Sequence, residues 1–120
     1  MEEKINKVLN RFDIEYLRLI ETGKGWLNLI SELDENLTKI DPNYKIYGIK
    51  EKFGELRYSC SLSSNPDASK LINNAVEKSR ITCEQCGDHG KEIDNNGWII
   101  VRCEKCCLET NIKFPTEDDS

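Results

Sequence analysis

No stretch of the chain approaches the roughly 20 consecutive apolar residues that a bilayer-crossing helix requires. The N-terminus, MEEKINKVLNRF, also lacks the apolar stretch of a secretory signal. Both absences predict a soluble, cytoplasmic protein with no membrane partner. Internal repeats and low-complexity linkers are missing, so the 120 residues read as one domain of ordinary size. Apolar residues are scarce at 38%, and charged residues are abundant at 32%. A core of that size is thin, and a staple would help it. Histidine is nearly absent. His89 is the single one, and no serine or cysteine stands obviously poised beside it. Carboxylate pairs such as Glu32 and Glu35 fall on a helical face, where solvation accounts for them. No constellation of nucleophile, base and acid emerges, and the chain reads as a non-enzyme.

An excess of positive charge is lacking too. The net charge is −5. Residues 1–40 carry eight acids and six bases, a balance of −2; residues 41–80 carry five and seven, a balance of +2; residues 81–120 carry nine and four, a balance of −5. Nucleic-acid-binding domains are usually basic over the contact face. Wide contact with phosphates is therefore disfavoured, with the middle third left open.

What the chain does have is cysteine. Six in 120 residues, in a reducing compartment, point to metal before disulfides. Cys83 and Cys86, then Cys103 and Cys106, form two C-x₂-C pairs sixteen residues apart. Two residues between cysteines let a tight turn aim both sulfurs at one point, and backbone N–H groups of the turn can donate to the thiolates. Two such turns build a tetrahedron of sulfurs around one structural Zn²⁺, and the span suits a zinc ribbon. Gly87 supplies a flexible backbone after the first pair, and Trp98–Arg102 reads as the strand that delivers the second. Cys107 adjoins Cys106, and only one of two neighbours can normally face the metal; Cys106 has the better spacing. His89 reads as a loop histidine and Cys60 as a small core residue. Four protein ligands leave no open position for substrate, so the ion has a structural role.

Periodicity supplies the rest of an α+β fold. Ile5, Val8, Leu9, Phe12, Tyr16, Leu19 and Ile20 recur at spacings of three and four, which predicts a helix over 3–22. Gly23 and Gly25 break it. Trp26, Ile30, Leu33, Leu37 and Ile40 predict a second helix from about Trp26 to Ile40, ended by Asp41-Pro42-Asn43. The segments 44–50 and 55–62 read as two strands joined at Glu51-Lys52-Phe53-Gly54, with Gly54 at positive φ. Asn65 as N-cap and Pro66 as first residue open a third helix striped by Ala68, Leu71, Ile72, Ala75, Val76 and Ser79. The expected architecture is N-terminal helices packed on a small antiparallel sheet, then a helix and a C-terminal zinc ribbon. The boundaries are 1–81 for the α+β region, 82–112 for the ribbon and 113–120 for an acidic tail.

An ordered signature runs through these elements. Gly25-Trp26 opens a helix, IKEKFGELRYS stands at 49–59, and a helix ends in Lys78-Ser79-Arg80; TCEQCG at 82–87 and Gly97-Trp98 ahead of Cys103 complete it. Over about residues 23–107 the chain resembles a family of small zinc-ribbon proteins frequent in phage and prophage genomes and mostly uncharacterised. Members often close the metal site with a histidine where this chain has Cys106, and tend to have a second glycine where Glu55 stands. The resemblance implies a zinc site and a phage-like origin, and supplies no established activity.

A second feature is the mixture of cations and aromatics on the hairpin. Lys45, Lys50, Lys52 and Arg57 interleave with Tyr44, Tyr47, Phe53 and Tyr58. Lys50, Lys52, Phe53 and Arg57 are the candidate binding residues, with cations to hold phosphates and rings to stack on bases. A strand with core aromatics and solvated bases explains the same alternation. Gly23-Lys24-Gly25-Trp26, at a helix start, is a weaker candidate for receiving an anion. Three functions follow as expectations. The first is an inhibitor or adaptor that binds a host protein, in particular a phage-encoded inhibitor of a bacterial antiphage defence system. The second is a nucleic-acid-binding module using the hairpin 44–58, and the third a binder that sequesters a small anionic ligand such as a nucleotide.

Overall fold

A computed structural model describes residues 2–115 of the chain. The fold is α+β, with four α-helices, a three-stranded sheet and a separate two-stranded ribbon among the described residues. Helix α1 spans Glu2–Asn10 and strand β1 Ile20–Glu21; a 3₁₀ turn, Lys24–Trp26, leads into α2, Leu27–Ile40. Strands β2, Ile46–Lys52, and β3, Glu55–Cys60, form a hairpin followed by α3, Pro66–Ser79. The ribbon is β4, Lys91–Asn95, with β5, Trp98–Arg102, and α4, Glu104–Glu109, closes the described chain. Among the described residues no helix is long and apolar enough to cross a membrane.

The first helix is shorter than its apolar spacing predicts. Only Ile5, Val8 and Leu9 of the expected stripe lie on α1, and Val8 is its buried member. The chain then leaves the helix to pair with β2. Ile46 donates its N–H to the Arg11 carbonyl, and Asp13 donates to the Ile46 carbonyl, both at 3.0 Å. Ile20 and Glu21 add a short parallel strand opposite Ile49 and Lys50. The sheet is therefore mixed, in the order β1-β2-β3. Phe12 and Ile20 reach the core from extended backbone, while Ile14, Tyr16, Leu17 and Leu19 between them face outward. Spacings of three and four describe a helix only if its whole stripe can be buried together; here edge pairing to β2 satisfies the backbone instead.

The other elements form close to where their local signals place them. Helix α2 buries Ile30, Leu33 and Leu37 beneath Trp26, against α3 and the inner face of the hairpin. That inner face carries Ile46, Ile49, Leu56, Tyr58 and Cys60, the period-two set expected of a half-buried strand. Phe53 and Gly54 form the two-residue turn, with φ of 54° and 73°. Positive φ at both positions suits the strand twist. Asn65 caps α3, its side-chain oxygen accepting the N–H groups of Asp67 and Ala68 at 3.0 Å each. Ser79, fully buried near the end of α3, accepts the Leu56 N–H at 3.0 Å and so ties that helix to β3. Phe114 falls within the segment read from the sequence as an acidic tail. Phe114 packs with Ile112 on Ile93, Ile100 and Cys107, under the Lys91 ammonium. Residues 116–120, the rest of the proposed tail, lie outside the described residues.

One buried polar chain crosses the core. Asp34 on α2 is 3% exposed. Its carboxylate accepts Arg11 Nε–H at 3.0 Å and the Tyr44 hydroxyl, which lies 2.7 Å from the Tyr58 hydroxyl. An isolated carboxylate at that depth would cost several kcal/mol, and these donors offset it. Burial pushes the Tyr44 phenol well above its ordinary 10.0, aided by Tyr58 and Asp34. Burial also pushes Tyr58 up, partly opposed by its bond to Tyr44. In the unfolded chain both ionise near 10, so their contribution to stability is present below that pH and lost as pH rises above it. We expect stability to fall above about pH 10 by up to about 1.4 kcal/mol per pH unit for each tyrosine. Tyr44→Phe should cost about 1–3 kcal/mol at neutral pH and flatten the alkaline decline. Melting temperatures across that pH range, for both proteins, measure this.

Candidate metal centre

The two cysteine pairs are presented by different local structures. Cys83 opens a tight turn in which Gly87, at φ +88°, donates to the Cys83 carbonyl at 3.0 Å. Asp88 donates its N–H to Cys86 Sγ at 3.5 Å. The second pair is the first turn of α4. Cys103, delivered by β5, is the N-cap residue, and its Sγ accepts the Cys106 N–H at 3.4 Å. A helix start therefore does for this pair what a loop turn does for the first.

Cys83, Cys86, Cys103 and Cys106 bring their sulfurs within 4.8 Å of one another, with Cys86 Sγ 3.6 Å from Cys103 Sγ. A tetrahedron with metal–sulfur bonds of about 2.3 Å has sulfur–sulfur edges of about 3.8 Å. The four sulfurs thus fit one metal ion. Cys83, Cys103 and Cys106 are buried and Cys86 is exposed. Burial acts to raise the Cys83 thiol, but N–H groups of Cys103, Cys86 and Gln85 outweigh it and hold it down from 9.0 to about 7. Burial and the adjoining sulfurs push Cys106 up instead. Four thiolates this close repel one another, so a cation among them is what allows all four to ionise together.

The remaining candidate ligands fall elsewhere. Cys107 points to the other side of α4, into the small core of Ile93, Ile100 and Phe114. Cys60 lies in the main core. His89 is exposed on a bridge to Thr82, outside the sulfur group.

The first cysteine turn is seated on the turn that begins α2, and this contact was not legible in the spacing. A Cβ on Gly25 would stand 2.1 Å from the Cys83 carbonyl oxygen, and one on Gly23 2.1 Å from that of Glu84. Gly25 donates to the Glu84 carbonyl at 2.9 Å, and Trp26 Nε1–H donates to the Thr82 carbonyl at 2.8 Å. Glu84 then bridges to β5, its N–H reaching the Val101 carbonyl at 2.9 Å and its carboxylate accepting the Val101 N–H at 2.6 Å. The glycines of Gly23-Lys24-Gly25-Trp26 therefore serve close backbone approach, and Trp26 is a core anchor. A glycine pair beside a tryptophan and a cysteine turn with its own glycine were the available signals; nothing linear says that they touch.

The hairpin candidates separate into two groups. Lys52 lies over the exposed Phe53 ring at the tip, 5.7 Å from its centroid. Lys50 and Arg57 face each other across the ladder on the outer side of the sheet. Lys50 Nζ is 3.7 Å from Glu21, and Arg57 is 3.7 Å from Glu55. The Tyr16 and Tyr47 rings, 5.0 Å apart beside this face, were not singled out as a pair from the sequence.

Comparison of the chain with models of known protein families, with characterised proteins and with solved structures finds no match in any of the three. The resemblance to phage zinc-ribbon proteins accordingly rests on the motif residues alone.

Two outcomes follow from this geometry. Gly25→Ala forces the cysteine turn off α2 and should destabilise the protein by about 1–3 kcal/mol, with faster metal loss to a chelator, read by melting temperature and a colorimetric release assay. Cys83→Ser should lose the metal that Cys107→Ser retains, as measured by elemental analysis. Protons compete with the metal for thiolates, so retention in the wild type is high at neutral and alkaline pH and falls on acidification.

Proposed function

We propose that the chain is a non-enzymatic protein-binding module in which a structural Zn²⁺ rigidifies the C-terminal third. Four thiolates in tetrahedral array favour zinc among the common cellular metals. A donor set closed by protein leaves the ion no coordination site for a substrate, which supports a structural role.

The single observation that favours protein binding is the segment between α1 and β1. Ile14 is 95% exposed, Leu17 78%, and Tyr16 and Leu19 46% each. Four large apolar side chains in six residues form a ridge held at both ends by β2, through Phe12 and Ile20. Anchored loops that present apolar side chains to water are where proteins most often meet partners. The acidic balance of the chain suits a protein partner better than a polynucleotide. The phage-type resemblance adds a host protein as the partner, and inhibition of a bacterial antiphage defence system as the role.

The test is affinity capture from host lysate with wild type and with Ile14→Ser/Leu17→Ser, which removes ridge side chains that bury nothing within the chain. A host protein retained in stoichiometric amount by the wild type should be lost or weakened at least about 30-fold by the variant, the effect of truncating interface anchors. Equal capture by both removes the ridge from the interface, and capture of no protein removes the reading.

A further inference from the structure

The outer face of the β2–β3 hairpin carries a groove that neither the core nor the metal site accounts for. Ile46 pairs with Cys60 and Gly48 with Ser59, so Tyr47 is left without a partner across the ladder. An extra residue of this kind kinks a strand and re-aims a side chain, and such bulges concentrate next to functional sites. Here Tyr47 is turned onto Tyr16, with ring centroids 5.0 Å apart and planes inclined by 35°.

Gly48 follows. Its φ is not in the left-handed region, and a Cβ built on it would meet nothing within 4 Å. Neither backbone conformation nor packing within the chain requires glycine there. A glycine inside a strand costs about 0.5–1 kcal/mol relative to alanine; it marks a bulge, as at this position, or a place where something approaches the backbone, and the space above Gly48 leaves room for that approach. The space over it is a groove of about 490 Å³ lined by Tyr16, Tyr47, Gly48, Lys50, Arg57, Tyr58 and Ser59. That volume lies within the roughly 300–1,000 Å³ typical of small-molecule sites.

The charges are the third observation. Lys50 and Arg57 stand directly opposite each other in the ladder, an arrangement in which like charges repel. Their carboxylate partners, Glu21 and Glu55, are each 3.7 Å away; Glu21 is exposed, and the half-buried Glu55 is already bonded by Arg80 Nε at 2.9 Å, so neither pair holds its cation tightly. An anion between the two cations would relieve the repulsion. Among the described residues two cations line the groove, and the chain is acidic overall, so the anion is small.

We propose that this groove binds a free nucleotide, its base against the Tyr16–Tyr47 aromatic wall over Gly48 and its phosphate between Lys50 and Arg57. The groove shares Tyr16 with the apolar ridge but does not rest on the protein-binding reading, and it is tested on the purified, metal-loaded chain alone. Isothermal titration with the mono- and diphosphates of adenosine, guanosine, cytidine and uridine should show saturable binding of at least one. Inorganic phosphate, which lacks a base, should bind at least about tenfold more weakly. Gly48→Leu fills the groove from a position where a Cβ meets nothing; it should hold or raise the melting temperature and lose at least about tenfold in affinity. Lys50→Gln/Arg57→Gln, confined to exposed side chains, should do the same and secures the test if Gly48→Leu does not fold. No saturable binding of any nucleotide by the wild type overturns the proposal. So does binding that survives both variants, or phosphate binding as tight as nucleotide binding. A decathymidylate that binds more than tenfold tighter than every nucleotide, with a steep salt dependence, overturns it in favour of a single-stranded nucleic-acid surface.

Discussion

Four sulfurs held within 4.8 Å of one another constrain where every neighbouring element can lie. Cys83 and Cys86 belong to a turn, while Cys103 and Cys106 belong to the start of α4, sixteen residues further on. Joining them at one point sets the length of the intervening ribbon and brings Val101 beside Glu84. It also places the carbonyls of Cys83 and Glu84 against Gly25 and Gly23, which have no side chains to resist the approach. The cysteine cluster is thus as much a joint between the cysteine module and α2 as a staple within the module. Trp26 serves both sides of that joint, with its ring in the main core and its N–H on the Thr82 carbonyl.

The main core is small, and part of it is polar. Asp34, Arg11, Tyr44 and Tyr58 link the end of α1, α2 and both sides of the hairpin through directional contacts. Apolar packing alone tolerates several relative placements of elements at similar energy, whereas a buried carboxylate tolerates only those that bring its donors to it. This chain of hydrogen bonds therefore orients α2 over the sheet.

The hairpin has two faces with different duties. Its inner face is a half-buried strand pair of ordinary kind. Its outer face has features that folding does not call for: an unpaired tyrosine, a glycine with open space above it, and two cations opposite each other. Beside it stands an apolar segment that reaches water while both of its ends are pinned to β2. Each of these features is locally unfavourable or neutral to the fold. Their concentration on one side makes that side, rather than the cysteine cluster, the place to look for binding.

Much of this was determined by the sequence alone, wherever the physics is local. Two residues between cysteines limit where their sulfurs can go, Asn65-Pro66 carries its own cap, Phe53-Gly54 its own turn, and period-two alternation its own buried face. The tertiary structure decided matters that depend on residues distant along the chain. It ended α1 at Asn10, because extended backbone beyond it found hydrogen bonds on β2 that no helical pattern encodes. The spacing already favoured Cys106 over Cys107; the tertiary structure, through the direction of α4, decided where Cys107 went instead, onto Ile93 and Ile100. It gave Gly23 and Gly25 a role as contact surfaces, and it placed Tyr16 on Tyr47. Linear spacing records how far apart residues are along the chain; which surfaces meet depends on packing free energy summed over the whole molecule.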